Sequence, residues 1–165
     1  MIKFYGPNNP HGFLSNFYPA PIWVDGISAQ TSEHYYQAMK SLDPVVRQQI
    51  LDAATPGKSK KLGAQCVLRP DWDEVVGNRE LHDIFRDGRG VVVERVKDHV
   101  MYTALICKFM QNGALRDSLL QTGEELLLED SPTDDYWGLG SNGTGLNKLG
   151  RMLMLVRKML PTRLP

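Results

Sequence analysis

Cysteine is scarce in this sequence. Its 165 residues include only Cys66 and Cys107, which stand far apart, with no Cys-x-x-Cys pair and no paired histidines at the spacing of metal ligands. Neither a disulfide framework nor a structural zinc site is therefore indicated. We expect two buried free thiols, no metal and no other cofactor.

Long apolar stretches and a net charge are also missing. The N-terminal residues MIKFYGPNNPHGF contain no apolar signal segment. No run approaches the roughly 18 to 20 apolar residues that span a bilayer, so we expect a cytoplasmic protein without a membrane partner. The 19 basic and 19 acidic residues cancel, and any attraction for nucleic acid must come from local charge.

The length of the chain suits one hydrophobic core. Two domains would each have about half of the 165 residues and would be marginal in stability. No internal repeat or low-complexity linker marks a boundary. We expect a single domain over residues 1–165 that acts as a monomer. Its fold class is expected to be α+β and mainly helical, with a small β-sheet from the N-terminal segments.

Turn and capping residues divide the chain into short elements. Asp25-Gly26 lies between two β-prone stretches, residues 22–24 and 27–29, and predicts a hairpin with a type I′ turn. Apolar spacing places Leu42 on the buried face of one helix and Met110 on that of another. The helices that we expect cover residues 31–42, 44–54, 58–65, 97–111 and 114–122, and the stretch from Asn147 to Pro161.

The stretch TSEHYYQAMK, residues 31–40, carries the residues best suited to catalysis. If Thr31 caps a helix, Glu33 lies in the first turn, where the helix dipole favours an ionised carboxylate. Glu33, Tyr36/Gln37 and Lys40 share a polar face, with Glu33 and Lys40 about 10.5 Å apart along the axis, which leaves room for one sugar. The alternative is that Glu33 only caps the helix and Lys40 is a solvated surface charge.

A second candidate stretch, LLLEDSPTDDYWGLGSNGTGLNKLGRM, combines acidic residues, a tryptophan and glycines. The carboxylates between Glu124 and Asp135 can bind sugar hydroxyls, and the face of Trp137 can stack on a base. Glycine-rich backbone from Gly138 onward, ahead of a helix N-terminus, can offer amides to a phosphate. These features predict a nucleotide-sugar pocket, and the alternative is a glycine-rich surface turn.

The glycines of this stretch do not match the known nucleotide-binding motifs in context. GLGSNG fits G-x-G-x-x-G, but no buried strand precedes it and no βαβ unit surrounds it. A P-loop is also excluded, because Lys148 does not follow a glycine directly and no serine or threonine follows it.

Two weaker candidates complete the set. Asn16 and Phe17 lie in the aromatic segment GFLSNFYPAPI, where an amide could bind a ligand and the rings could stack, although core packing explains them equally well. A modest basic cluster could attract phosphate or could simply be a solvated helix face. It consists of Lys58, Lys60, Lys61 and Arg69.

These stretches, in this order, resemble the NADAR family, also called YbiA-like, whose bacterial members include N-glycosidases that act on riboflavin-biosynthesis intermediates. The pieces that carry the resemblance span nearly the whole chain. They are FYGPNN, GFLSNFYPAPI, TSEHYYQAMK, LRPDW, VMYTALICKF and DDYWGLGSNGTGLNKLGRMLM.

The resemblance implies roles for individual residues. The glutamate of the SEHY-type motif is regarded as catalytic in the family, which carries over to Glu33, and the tryptophan of the LR..W piece corresponds to Trp72. We expect Glu33 and Lys40 to be catalytic. The residues expected to bind substrate are Asn16, Phe17, Tyr36, Arg69, Trp72, Glu129, Asp134, Asp135, Trp137, Gly138 and Asn147.

One departure from the family pattern lies between the LR..W piece and the VM..AL..KF helix. These two pieces are almost adjacent in the short bacterial N-glycosidases, whereas about 20 residues, roughly 75–95, intervene here. We interpret them as an insertion that could reshape the mouth of the pocket.

The family acts on two classes of substrate. One is the ribosylaminopyrimidine phosphates of riboflavin biosynthesis, and the other is ADP-ribose attached to guanine in DNA or RNA. The resemblance therefore implies a hydrolase that binds phosphorylated ribose or ADP-ribose and cleaves its C1′–N bond. Glu33 would act at C1′ as a carboxylate, and Lys40 could trap C1′ as a Schiff base. The alternative is a non-catalytic module that binds ADP-ribose or a related nucleotide.

Overall fold

Four short strands form two separate two-stranded sheets in the computed structural model, which describes residues 1–76 and 85–160. Strands β2 (Ile22–Val24) and β3 (Ile27–Ala29) form the predicted hairpin. Asp25 and Gly26 have φ angles of 46° and 86°, as a type I′ turn requires, so this prediction is confirmed. The other sheet pairs β1 (Ile2–Phe4) with β4 (Leu127–Glu129) in parallel.

Six α-helices of the described residues surround one apolar core. The shortest, α1, is buried at all seven of its positions and packs against α2, α3 and α4. Together with the strands, they confirm the α+β, mainly helical fold class. The helices are α1 (Ser32–Ala38), α2 (Pro44–Leu51), α3 (Pro56–Gln65), α4 (Val96–Gln111), α5 (Gly113–Gln121) and α6 (Lys148–Met159).

Side-chain caps fix where the first helices begin. The Thr31 hydroxyl accepts a hydrogen bond from the backbone N–H of His34, which confirms the predicted start of α1. The Asp43 carboxylate accepts from the backbone N–H groups of Val45 and Val46 at the start of α2, also as predicted. A threonine cap followed by proline starts α3 at Pro56, two residues earlier than expected.

The first helix is shorter than predicted. It ends at Ala38 rather than Leu42, because the Lys40 carbonyl accepts a hydrogen bond of 2.7 Å from the distant Arg69 N–H and the chain turns away. Leu42, expected on the buried face, is 58% exposed. Lys40 therefore lies just beyond the helix, and the spacing of 10.5 Å expected for a continuous helix does not apply.

Three further expectations need correction. In α4 the buried face contains Met101, Ala104, Leu105 and Phe109, and Met110, expected on this face, is 59% exposed. The small sheet was expected from N-terminal segments alone, but β1 pairs with β4, a strand of the C-terminal half. The sequence of β4 shows no alternation of apolar and polar residues that would have predicted it. The two cysteines are free but only half-buried.

A buried ion pair joins the start of α4 to the start of α6. Asp98 is fully buried, and its carboxylate accepts hydrogen bonds from the backbone N–H groups of Glu94 and Arg95, each at 3.1 Å. It also accepts from the Tyr136 hydroxyl at 2.6 Å and from Lys148 Nζ at 3.2 Å. The Asp98 carboxylate thus accepts four hydrogen bonds, and a buried charge requires such partners.

The segment that precedes α4 is tied to α6. Asp87 accepts two hydrogen bonds of 2.8 Å from the Arg151 guanidinium, which holds the pKa of its carboxyl well below the usual range despite partial burial. The chain turns at Asp87-Gly88, with a positive φ at Gly88 and a bridge between Arg86 and Val91. Of the proposed insertion at 75–95, residues 77–84 lie outside the described residues.

The start of α6 approaches β4 very closely. Asn147, in the left-handed region with φ 50°, accepts a hydrogen bond from the Glu129 N–H at 2.9 Å and donates one to the Leu127 carbonyl at 3.0 Å. One turn of helix later, a Cβ on Gly150 would overlap the Leu127 carbonyl oxygen and the Asn147 amide. Only glycine therefore allows this approach. None of the described helices combines the length and apolar character needed to cross a membrane.

Replacement of Gly150 by alanine should destabilise the fold. The added methyl group has to displace the β4 backbone, so Gly150→Ala should lower the free energy of unfolding by about 2 to 3 kcal/mol in urea denaturation. Gly57→Ala is the matched control. A Cβ on that helical glycine would meet only the Thr55 hydroxyl oxygen, at an ordinary contact distance of 3.9 Å, and alanine there should stabilise by about 0.5 kcal/mol. Equal effects of the two substitutions would contradict the close approach.

Candidate active site

A cleft of about 170 Å³ opens between α1, the segment that precedes the β2–β3 hairpin, α3 and the end of β4. Eight of the residues predicted for the site line it. They are Asn16, Phe17, Glu33, Tyr36, Lys40, Glu129, Asp134 and Trp137.

Glu33 is held in the first turn of α1 and is only 5% exposed. Its Oε1 accepts a hydrogen bond of 2.7 Å from the Gln37 side-chain amide. Burial raises the pKa of the Glu33 carboxyl, whereas the hydrogen bond from Gln37 and the charges of Lys60 and Lys40 act in the opposite direction. The helix dipole by itself favours an ionised group, as expected from the sequence, but desolvation is the larger effect and opposes ionisation.

Lys40 lies at the cleft although it is not part of α1. Its Nζ is 5.5 Å from the centroid of the Tyr36 ring. Burial lowers the pKa of the Lys40 ammonium, and the nearby Glu33 carboxyl partly offsets this effect. A larger fraction of Lys40 is consequently neutral than for an exposed lysine.

Three aromatic rings form one wall. Tyr36 stands between Trp72, with ring centroids 5.2 Å apart, and Trp137, at 5.4 Å in an edge-to-face arrangement. Trp72 is only 4% exposed and does not line the cleft. It therefore supports Tyr36 from behind, whereas Trp137 presents a half-buried ring to the cleft.

Glu129, the last residue of β4, carries the second buried carboxyl of the cleft. Its Oε2 is shielded from solvent and has no hydrogen-bond partner within residues 1–76 and 85–160. Desolvation, together with the charges of Asp134 and Glu33, raises the pKa of Glu129 to about 8, and only Lys60 acts against them. At neutral pH this carboxyl is mainly protonated.

Five of the predicted residues do not line the cleft. Arg69 is engaged with Asp71 in two hydrogen bonds of 2.6 and 2.7 Å, so the phosphate contact expected of it is not supported. Asp135 is exposed, and its backbone carbonyl accepts from the Leu146 N–H. The remaining three, Trp72, Gly138 and Asn147, lie behind the cleft and support it.

Most amides of the glycine-rich loop are already engaged. They donate to carbonyls of the loop itself, as Gly140 N–H does to Asp134 and Gly145 N–H does to Leu139. The first amides of α6 are engaged in the same way, because Lys148 N–H donates to Tyr136 and Leu149 N–H donates to Trp137. These N–H groups are therefore not available to a ligand, which corrects the expectation drawn from the glycines.

Four lining residues were not predicted: Ser15, Gln37, Lys60 and Met101. Gln37 shares the polar side of α1 with Glu33, and Lys60 belongs to the basic cluster, so both had a recognisable signal. The Gln37 side chain lies against Gly63, where a Cβ would overlap it. Met101 had no signal, and only the fold brings its sulfur within 3.2 Å of the Asn16 amide nitrogen.

The backbone and side chain around Asn16 are held by hydrogen bonds to buried residues. The Asn16 side-chain oxygen accepts from the Ser32 hydroxyl at 3.1 Å, and its carbonyl accepts from the Glu33 N–H at 3.2 Å. Lys108, fully buried, donates to the Ser15 carbonyl at 2.8 Å. Burial lowers the pKa of Lys108 to about 7. These contacts fix Glu33 relative to the opposite wall.

Comparison with known proteins gives consistent matches over almost the full chain. The model of the NADAR domain family matches residues 3–161. An N-glycosidase of Nostoc punctiforme is 40% identical over 162 residues, which cover 95% of this chain and 90% of that protein. The N-glycosidase YbiA of Escherichia coli is 37% identical, with 97% and 88% covered.

A longer relative and a solved structure extend the comparison. A riboflavin biosynthesis protein of Vibrio vulnificus is 38% identical over 99% of this chain, which spans 40% of that larger protein. The NMR structure of the Escherichia coli protein YbiA superimposes with a TM-score of 0.76 at 36% identity. It covers 96% of this chain and 83% of that one.

The protonated state of Glu129 predicts a pH-dependent stability. The folded pKa of about 8 lies above the ordinary value of 4.5, so the folded protein keeps a proton that the unfolded chain loses. This contribution is fully present below pH 4.5 and is lost as the pH rises through 8. The free energy of unfolding of Glu129→Gln, relative to the natural protein, should therefore rise steadily from pH 5 to pH 8.5.

Thermal or urea unfolding over this pH range measures the effect. Asp130→Asn is the matched control, because Asp130 is the next residue, exposed and paired with Lys3 at the surface. The difference in free energy of unfolding between Asp130→Asn and the natural protein should not rise with pH in this way. A flat difference for Glu129→Gln would show that Glu129 does not hold an extra proton in the folded state.

Proposed function

The chain belongs to the NADAR domain family and is an N-glycosidase, a hydrolase of N-glycosyl bonds, and we propose that its substrate is a ribosylaminopyrimidine phosphate. The observation that carries this proposal is the cleft itself. Two carboxyls, Glu33 and Glu129, share it with the amine of Lys40, the charge of Lys60 and the ring of Trp137. Relatives named as riboflavin biosynthesis proteins support this class of substrate.

Each wall of the cleft suits one part of this substrate. The exposed Lys60 at the mouth is a partner for the phosphate, and Asp134 is a partner for the ribose hydroxyls. Trp137 and Tyr36 provide an aromatic surface for the pyrimidine. In this arrangement C1′ of the ribose faces Glu33.

Glu33 has the role of the carboxylate at C1′. As the C1′–N bond breaks, its electron pair leaves with nitrogen and positive charge develops on the ribose. The negative charge of Glu33 stabilises that charge, and Glu33 accepts a proton from the water whose oxygen bonds to C1′. The hydrogen bond from Gln37 and the charges of Lys40 and Lys60 favour the ionised form that this role needs.

Lys40 offers a covalent route to the same products. A ribosylamine can open its ring to an imine, and a neutral Lys40 amine can add to C1′ and expel the pyrimidine amine, which leaves with a proton. Water then hydrolyses the lysine imine and restores Lys40. The lowered pKa of Lys40 supports this route, because only the unprotonated amine is a nucleophile.

A second candidate substrate is ADP-ribose attached to guanine in DNA or RNA. The observation that favours it is the exposed row of Lys58 and Lys61 on α3, next to Lys60 at the cleft. Such lysines suit the phosphates of a nucleic acid. A purely binding module is not favoured, because a reader of ADP-ribose does not need two carboxyls that are costly to desolvate. We propose that residues 1–165 act as one cytoplasmic, monomeric domain without a cofactor.

Release of free sugar phosphate tests the function directly. The protein should release ribose 5-phosphate from a ribosylaminopyrimidine 5-phosphate, and a guanosine-ADP-ribosylated oligonucleotide tests the second candidate. Glu33→Gln keeps the shape but cannot take a proton, so kcat should fall about 1,000-fold. Glu74→Gln, at an exposed glutamate remote from the cleft lining, should retain activity. Activity of the natural protein on neither substrate would overturn the proposal.

Borohydride trapping tests the covalent route. Reduction during turnover should add a ribose phosphate to Lys40, detected by mass spectrometry of peptides. Lys40→Arg keeps a positive charge without a nucleophilic amine and should give no adduct, whereas Lys60→Arg should still be trapped at Lys40. Absence of an adduct in the natural protein would restrict Lys40 to an electrostatic role.

A further inference from the structure

We propose that Glu129 is the general acid of this N-glycosidase, the group that protonates the leaving nitrogen. The inference rests on the proposed function and assigns a second catalytic residue to the same cleft. The geometry that points to it is a carboxyl that lines the cleft, with Oε2 shielded from solvent and without a hydrogen-bond partner among the described residues. A carboxylate oxygen buried without a donor is unfavourable, so these surroundings favour the protonated carboxyl, which then holds a proton at the cleft.

The backbone of Glu129 is held on both sides. Its N–H donates to the Asn147 side chain at 2.9 Å, and its carbonyl accepts from the Leu139 N–H at 2.9 Å. On the other edge of β4, the parallel pairing with β1 aligns Glu129 with Phe4. The close approach at Gly150 adds to this rigidity. A proton donor has to be placed within hydrogen-bond reach of its acceptor, and a strand end fixed in this way provides that placement.

The two carboxyls of the cleft have opposite surroundings. Burial raises the pKa of Glu33 as well, but the hydrogen bond from Gln37 and the charges of Lys60 and Lys40 act against that effect. Glu129 faces Asp134 and Glu33, two negative groups, with only Lys60 to compensate, and its pKa of about 8 agrees with a resting proton. Glu33 therefore has a donor and cations that support the charged form of a base, whereas Glu129 has mainly negative neighbours and suits the acid role.

The assignment completes the proton balance of hydrolysis. As the C1′–N electron pair moves to nitrogen, Glu129 transfers its proton to that nitrogen and becomes a carboxylate. Water adds to C1′ and gives a proton to Glu33. After the products leave, one proton has to return from Glu33 to Glu129 before the next turnover. Water in the cleft can carry it.

The pH dependence of hydrolysis separates the two roles. For the natural protein, kcat/KM for a ribosylaminopyrimidine 5-phosphate should fall above about pH 8, where Glu129 loses its proton. Glu129→Gln should reduce kcat/KM about 100-fold or more and remove this alkaline limb. Glu33→Gln should instead leave the alkaline limb in place at its lowered rate. The loss of kcat/KM in Glu129→Gln should also be smaller for substrates whose leaving amine is more acidic, because such an amine needs less help from a proton donor.

Controls distinguish a proton donor from a structural residue. Glu129→Gln should bind ribose 5-phosphate within about threefold of the natural Kd, and Asp130→Asn should keep both activity and pH profile. Glu129→Asp, which retains a proton, should keep the alkaline limb at a reduced rate and serves if the glutamine variant does not fold. If Glu129→Gln keeps the alkaline limb of the pH profile, Glu129 is not the general acid, and the proposed function is unaffected. If the natural protein hydrolyses neither substrate, the proposed function itself is overturned.

Discussion

The buried pair of Asp98 and Lys148 is the interaction on which the cleft depends. It joins the first turn of α4 to the first residue of α6, and its carboxylate also accepts the Tyr136 hydroxyl. Lys148 donates in addition to the Val92 carbonyl at 2.9 Å. Such a pair is tolerated in the interior only when both charges are fully hydrogen-bonded, so the segments that supply the partners cannot move independently. Trp137 follows Tyr136 in the chain, so the same hydrogen bonds also restrict its position.

Unequal compensation of two desolvated carboxyls then gives the cleft its chemistry. Both Glu33 and Glu129 are removed from water, but Glu33 receives an amide hydrogen bond and lysine charges, whereas Glu129 meets mainly other carboxyls. Proteins tolerate unfavourable groups of this kind where function needs them and compensate elsewhere. The compensation here is the dense backbone bonding around Asn147 and the core that surrounds α1.

The residues of the glycine-rich motif serve the site indirectly. Most of their amides are engaged by carbonyls of their own loop, and Asn147 connects that loop to β4 at Glu129. A motif of this composition at a helix start suggests a phosphate contact, because sequence shows that amides are present but not that they are already bonded. The same uncertainty explains Arg69, whose guanidinium is occupied by Asp71 two residues further on.

The sequence by itself determined the local features: the caps at Thr31 and Asp43, the Asp25-Gly26 hairpin and the fold class, because each depends on neighbours along the chain. It also identified most residues of the cleft through motifs in their order. Only the tertiary structure decided where α1 ends, that β1 pairs with β4, and which of two carboxyls is surrounded by negative charge. These outcomes depend on contacts between residues distant in sequence and on burial, and neither spacing nor composition encodes the solvent access of a single side chain.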